Sequence, residues 1–388
     1  MKVTALAAHT PEAVRAALAA RGWEPQPAWF AASGLQFLLL SLEEITEAER
    51  EELVRWSVRA GVDVLTGDGW ALLGGVASRL APLARPDRVP SGLETVSAEI
   101  ARFLAAYAEP PQAWVIAGGA IPLDRPGLIG ILNVTPDSFS DGGRFVGVER
   151  ALAQAERLKA DGCTLLDVGG ESTRPGAAPV PVADELERVV PVVEAIVRLG
   201  LGPVSVDTRK SEVARAAIGA GAAVVNDVSA GSFDPDLLRV VARTGVGVIL
   251  MHMRGTPATM DGLATYLHVA TEVAAELRVA AERAEAAGVA GERIAVDPGF
   301  GFAKTAEQNF RLLDELAAVV RLGYPVVVGP SRKRFLGAAV GRPVEDRDRA
   351  TAVACALAWE RGARLFRVHD VALVREALTV ASATTNPT

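Results

Sequence analysis

Between residues 128 and 368 eight short apolar runs follow one another, and nearly every one closes on a group able to bind a polar ligand. They are LIGIL before Asn133, TLL before Asp167, PVSV before Asp207, AAVV before Asn226, GVILM before His252, RIAV before Asp297, PVVVG ahead of Ser331 and LF before Arg367. Continuous apolarity without polar alternation marks strands covered on both faces, hence parallel strands. Between the runs lie amphipathic stretches of helical period. Several are followed by a glycine through which the chain can leave the helix, as at Gly162, Gly200, Gly221, Gly245, Gly288, Gly323 and Gly362. Strand and helix thus alternate over residues 127–388, a span close to the ~250 residues typical of a (β/α)8 TIM barrel. A doubly wound open sheet also alternates the two, but it gathers its ligand groups at one switch point. Here they follow almost every strand, as a closed barrel requires if all strand ends face one mouth.

Residues 1–115 read differently, as a small α/β N-terminal domain. Thr10-Pro11-Glu12 and Thr46 ahead of Glu47 and Glu49 look like helix starts, and Leu35 to Leu42 like a strand. Residues 116–126, with Pro122 and Pro126, read as a Pro-containing linker into the barrel.

Composition narrows the partners. A net charge of −7 and a pI near 5.4 argue against nucleic acid or an anionic membrane surface, both of which need a broad basic face. No apolar run approaches the ~20 residues of a membrane span, and MKVTALAAHTPEA holds too short an apolar stretch for a secretory leader. Cys163 and Cys355 stand far apart with no metal-binding spacing, which suits a reducing, cytoplasmic setting. Arginine is the preferred cation almost everywhere. Lysine occurs only at Lys2, Lys159, Lys210, Lys304 and Lys333, and the last three fall just beyond expected strand ends. A compact ammonium there hints at a site.

The carboxylates Asp167, Asp207 and Asp297 would be costly to bury in an apolar barrel unless a ligand or neighbour brought hydrogen-bond donors. With Asn226 beside them they suggest a donor-rich ring ligand. Singly, each could equally be a helix cap or a loop clamp, and Asp227 is read that way. Two loops look suited to an anion: NVTPDSFSDGGRF after the first strand, with Asn133, and GGESTRPGA after the second, with Thr173 and Arg174. In RLFRVHD, Arg367 and His369 stand two residues apart and share a face if the strand persists, giving a second anion contact. His9, His252 and His268 read as structural. DPGFGFAK lacks the third glycine of a dinucleotide loop and instead offers Phe302 as a flat face for an aromatic ligand, while GPSRK sets Ser331 and Lys333 beyond the seventh strand.

Taken in order, LNVTPDSFSDGG, DVGGESTRPGA, VSVDTRK, VVNDVSA, DPGFGFAK, GPSRKRFLG and RVHDV resemble the dihydropteroate synthases across residues 127 to about 372. The resemblance implies a transferase of folate biosynthesis that joins hydroxymethyl-dihydropterin pyrophosphate to 4-aminobenzoate, releasing pyrophosphate, and that is a sulfonamide target. It implies Asp207, Asn226, Asp297 and Lys333 as pterin contacts with Asp167 supporting them. Asn133 would be the Mg2+-associated residue, and Thr173, Arg174, Arg367 and His369 the pyrophosphate contacts. Pro175, Phe302, Ser331 and Arg334 would lie near the aminobenzoate. Catalysis would fall to Asp207, Asp297, Lys333 and Arg367, and the family suggests a homodimer. Where the family often has GFGK this chain has Gly301-Phe302-Ala303-Lys304. The rival readings are a methyltetrahydrofolate-dependent corrinoid methyltransferase, which needs no pyrophosphate site, and a non-catalytic pterin-binding protein.

Overall fold

The structure is a computed structural model and describes residues 37–134, 143–172 and 179–385. The chain divides into two compact units, Met1–Pro110 and Pro111–Thr388.

In the first unit the described elements are β1 (Phe37–Glu43), α1 (Glu47–Ala60), β2 (Asp63–Gly67), β3 (Trp70–Val76), a single helical turn α2 (Ala77–Leu80) and α3 (Glu94–Ala108). The strands form an antiparallel sheet in the order β1-β3-β2. Helix α1 begins where Thr46 and Glu49 predict: the Thr46 side chain accepts from the Glu49 amide, and the Glu49 carboxylate accepts from the Thr46 amide. It ends at Gly61, whose φ of 68° is the left-handed turn that stops a helix. Leu38, Leu53, Leu73, Leu80, Leu93 and Ile100 form the core of this unit. The helix start expected at Thr10 lies outside the described residues.

The second unit opens with a hairpin, β4 (Ala113–Ile116) and β5 (Gly119–Pro122), in the stretch read above as the end of one domain and the start of a linker. The alternation of Trp114, Ile116, Ile121 and Leu123 explains it, since these side chains share one buried face. Strand and helix then alternate: β6 (Gly127–Asn133), α4 (Gly143–Ala160), β7 (Leu165–Gly169), α5 (Val182–Arg198), β8 (Val204–Asp207), α6 (Ser211–Gly219), β9 (Val224–Asp227), α7 (Asp236–Thr244), β10 (Gly247–Met251), α8 (Val269–Ala286) and β11 (Ile294–Asp297). The circuit ends with α9 (Ala306–Asp314), α10 (Ala317–Val320), β12 (Val327–Val328), α11 (Arg334–Val340), α12 (Asp348–Glu360), β13 (Leu365–Val368) and α13 (Val371–Thr385).

The eight parallel strands run β11-β10-β9-β8-β7-β6-β13-β12, and a parallel bridge from Val296 to Val326 joins the two ends of that order. The sheet therefore closes as a barrel. Strand pleat divides its side chains between two cores. Leu166, Val168, Val204, Val206, Val248, Leu250, Val296 and Phe366 point outward to the helices. Ile129, Leu165, Val224, Ile249, Ala295, Val327 and Leu365 point inward and pack on the hairpin, which plugs one end.

Candidate active site

The inward layer of aliphatic side chains forms a floor, and the pleat dictates what lies above it. Two residues beyond Leu165 is Asp167, beyond Val224 is Asn226, beyond Ile249 is Met251, beyond Ala295 is Asp297, beyond Val327 is Gly329 and beyond Leu365 is Arg367. A period of two puts each of these on the barrel interior at the carboxyl end of its strand. There Asn226, Met251, Asp297, Gly329 and Arg367 line a cleft with Val228, Gly299, Phe300, Phe302 and Lys333, while Asp167 is fully buried behind Arg367.

Electrostatics organise the polar half. The Arg367 guanidinium donates through Nε to Asp167 Oδ2 at 2.6 Å and through Nη2 to Asp207 Oδ2 at 2.7 Å. Asn226 Nδ2 donates to the same Asp167 oxygen at 3.1 Å. Burial opposes the Arg367 charge, but the Asp167 and Asp207 carboxylates outweigh it and raise its pKa further. Burial pushes Asp207 up to about 7 against the pull of Arg367. It pushes Asp297 up to about 6, opposed by a 2.7 Å bond from the Gly299 amide and by the charges of Lys333 and Arg367. Three carboxylates thus face the cations Arg367 and Lys333, which leaves acceptor capacity for the N–H groups of a ligand.

The other half is apolar. Val228, Met251, Met260, Phe302 and Ala303 form one cluster, and Lys333 Nζ sits 4.0 Å from the centre of the Phe302 ring. Ser331 Oγ lies 2.9 Å from Nδ1 of His369, just past the end of β13. The strand stops at Val368, so Arg367 turns to the buried carboxylates while His369 pairs with Ser331. Asn133 ends β6 with its side chain exposed. Arg334 pairs with Asp261 at 2.9 Å. Thr173, Arg174 and Pro175 lie outside the described residues.

A family model for pterin binding enzymes matches residues 129–369. A dihydropteroate synthase of Synechocystis is 44% identical over 260 residues, which is 67% of this chain and 90% of that protein. A Xanthomonas albilineans dihydropteroate synthase solved with 4-aminobenzoic acid is 48% identical with a TM-score of 0.66, covering 70% of this chain and 98% of that one. The Burkholderia cenocepacia dihydropteroate synthase complexed with 7,8-dihydropteroate is 41% identical with a TM-score of 0.64, covering 71% and 97%. The chain belongs to the dihydropteroate synthase family.

For a dihydropteroate synthase, the lysines noted in the sequence have separate settings. Lys333 lines the cleft. Lys304 is buried beneath the loop after β11, against His252. Lys210 turns away, into an ion cluster with Glu171 and Glu185, where it also donates to the Val180 carbonyl at 2.8 Å. Asp227 is the structural carboxylate expected, accepting from Ser229 and from the Gly231 amide. Sequence reading missed the lining role of Val228, Met251 and Phe300; only the two-residue offset from the floor could have found Met251. Ala303, where the family often has glycine, takes a left-handed φ of 48°. The departure is thus tolerated at the cost of backbone strain.

Proposed function

We propose that this chain condenses (7,8-dihydropterin-6-yl)methyl pyrophosphate with 4-aminobenzoate to give 7,8-dihydropteroate and pyrophosphate. The observation that carries the reading is the strand-end cluster in which Asn226, Asp297 and Arg367 line one cleft beside an apolar wall, with Asp167 and Asp207 holding Arg367 from behind. A pterin is flat and rich in N–H donors, and buried carboxylates are the acceptors such a ring requires. Met251 and Phe302 would cover its faces, and the Phe302–Lys333 side would receive the second aromatic ring.

The chemistry follows from that placement. The methylene C–O bond breaks and its electron pair leaves with pyrophosphate. The arylamine nitrogen then donates its lone pair to the carbon and loses a proton to solvent. Ionised Asp207 and Asp297 favour the electron-poor pterin left behind, because their field acts in a dry, low-dielectric pocket. Arg367 fixes two of the carboxylates, and Lys333 supplies a cation at the arylamine side. His369, Thr173 and Arg174 would meet the diphosphate. Asn133, exposed at the end of β6, offers one amide oxygen, which fits a Mg2+ ion that keeps most of its waters and takes diphosphate oxygens. When bound, that ion would neutralise charge on the leaving group.

Two broader assignments belong here. The buried Cys355 thiol, raised far above its usual range by burial, and the unpaired Cys163 suit a reducing cytoplasm. Exposed Val353 and Leu357 on α12 and Val380 on α13 support a homodimer through this helix pair. Pyrophosphate release tests the activity: it should require both substrates and match dihydropteroate formed one for one. Folded protein that binds the pterin yet releases no pyrophosphate would favour a binding protein instead.

A further inference from the structure

The loop following β11 runs through left-handed backbone at Gly299 (φ 67°), Gly301 (φ 81°) and Ala303 (φ 48°). At Gly299 space as well as dihedral demands glycine, because a Cβ would lie 2.0 Å from the His252 carbonyl oxygen. Backbone of this kind strands its carbonyls, and one side chain gathers them. Lys304, 8% exposed, places Nζ 3.1 Å from the Gly299 carbonyl, 3.0 Å from the Phe302 carbonyl and 3.0 Å from His252 Nδ1. Burial lowers the Lys304 pKa to about 7, and in its ammonium form it has three N–H donors and no acceptor, so all are engaged. His252 Nδ1 must then accept, which leaves the ring proton on Nε2 for Glu276 Oε2 at 3.0 Å. Burial holds the imidazole down to about 4, hence neutral, as that role needs. The result is a chain of bonds from Glu276 on α8 through His252 at the end of β10 to both ends of the loop.

What the loop carries is one wall of the cleft. Its Gly299 amide orients Asp297, and its Phe302 ring lies under Lys333. We propose that Lys304 is a positioning residue: held by His252, it fixes the Phe302 ring and thereby the arylamine site, without touching substrate itself. This rests on the reading of Phe302 as an aminobenzoate contact.

Lys304→Met keeps the length of the side chain and removes every donor. Steady-state kinetics should show the KM for aminobenzoate raised about tenfold as the Phe302 ring loses its fixed position, with kcat and the KM for the pterin substrate changed less than about threefold. Should that variant fail to fold, His252 supplies the same test. In His252→Gln the amide can accept from Lys304 and donate to Glu276, so the aminobenzoate KM should stay at the wild-type value; His252→Leu can do neither and should raise it. Equal effects on both KM values, a change in kcat alone, or Gln and Leu behaving alike would overturn the positioning role. Phe302→Ala separates the two ideas. If it raises the aminobenzoate KM while the Lys304 and His252 variants do not, only the positioning role fails. If it leaves that KM unchanged, the reading of the site itself fails.

Discussion

At the residue scale, Arg367 sets the charge of the site. Its guanidinium pairs with Asp167 and Asp207, both buried, so Arg367→Ala would leave two carboxylates without their cation. Removing one partner of a buried pair costs about 3–5 kcal/mol. Urea unfolding should record a loss of that order, with turnover falling as well. Unchanged stability and turnover would show that the pairing has no weight. The sequence placed Arg367 on the right strand but could not show which neighbour it would choose, because its partners Asp167 and Asp207 lie 200 and 160 residues away in the chain. Ala303 is a second case. A buried Ala→Gly change loses a methyl worth about 0.8 kcal/mol and gains unfolded-chain entropy, but relief of left-handed strain offsets roughly 1–2 kcal/mol. Ala303→Gly should therefore leave stability within about 1 kcal/mol, whereas Ala303→Val, β-branched at φ 48°, should cost more than about 2 kcal/mol by thermal or urea unfolding.

At the scale of elements, the pleat does the positioning. Five strands each deliver a floor residue and, two positions on, a cleft residue, so a one-residue slip would exchange floor, cleft and outer core at once. The strands were readable because their apolar runs are continuous and end in polar groups. The β4–β5 hairpin was not, since its proline content resembles a connector and its Trp114 finds its partners only in the closed barrel. Trp114 is 0% exposed and donates from Nε1 to the Arg293 carbonyl at 3.0 Å. Trp114→Ala should cost about 3–5 kcal/mol in unfolding free energy. The plug lies at the end of the barrel away from the cleft, so folded Trp114→Ala should keep both KM values. A selective change in either KM would argue that the floor shapes the cleft.

For the whole molecule, closure of the barrel concentrates acidic groups at one mouth, and global stability inherits their titration. Asp297 has a pKa of about 6, against ~3.9 for an unfolded chain. Between those values the folded protein holds a proton that the unfolded chain has released, so the group's contribution to stability falls as pH rises from ~4 to ~6, by at most about 1.4 kcal/mol per pH unit, and levels off above. Asp207, also raised, acts in the same direction. Asp297→Asn should flatten the profile of urea stability against pH across that window; parallel profiles would mean the carboxyl is not buried as described. Barrel class and the residues of the acidic cluster were legible from strand ends alone. Which cations would neutralise them was not, because Arg367, Lys333 and the carboxylates come from strands and loops distant in sequence. The most direct measurement is calorimetric titration of the dihydropterin pyrophosphate into wild type and Asp297→Asn at pH 8 with Mg2+. Loss of a charged hydrogen bond predicts a Kd raised roughly 10- to 100-fold in a variant that remains folded. An unchanged Kd would place the pterin away from the strand-end carboxylates and contradict the account.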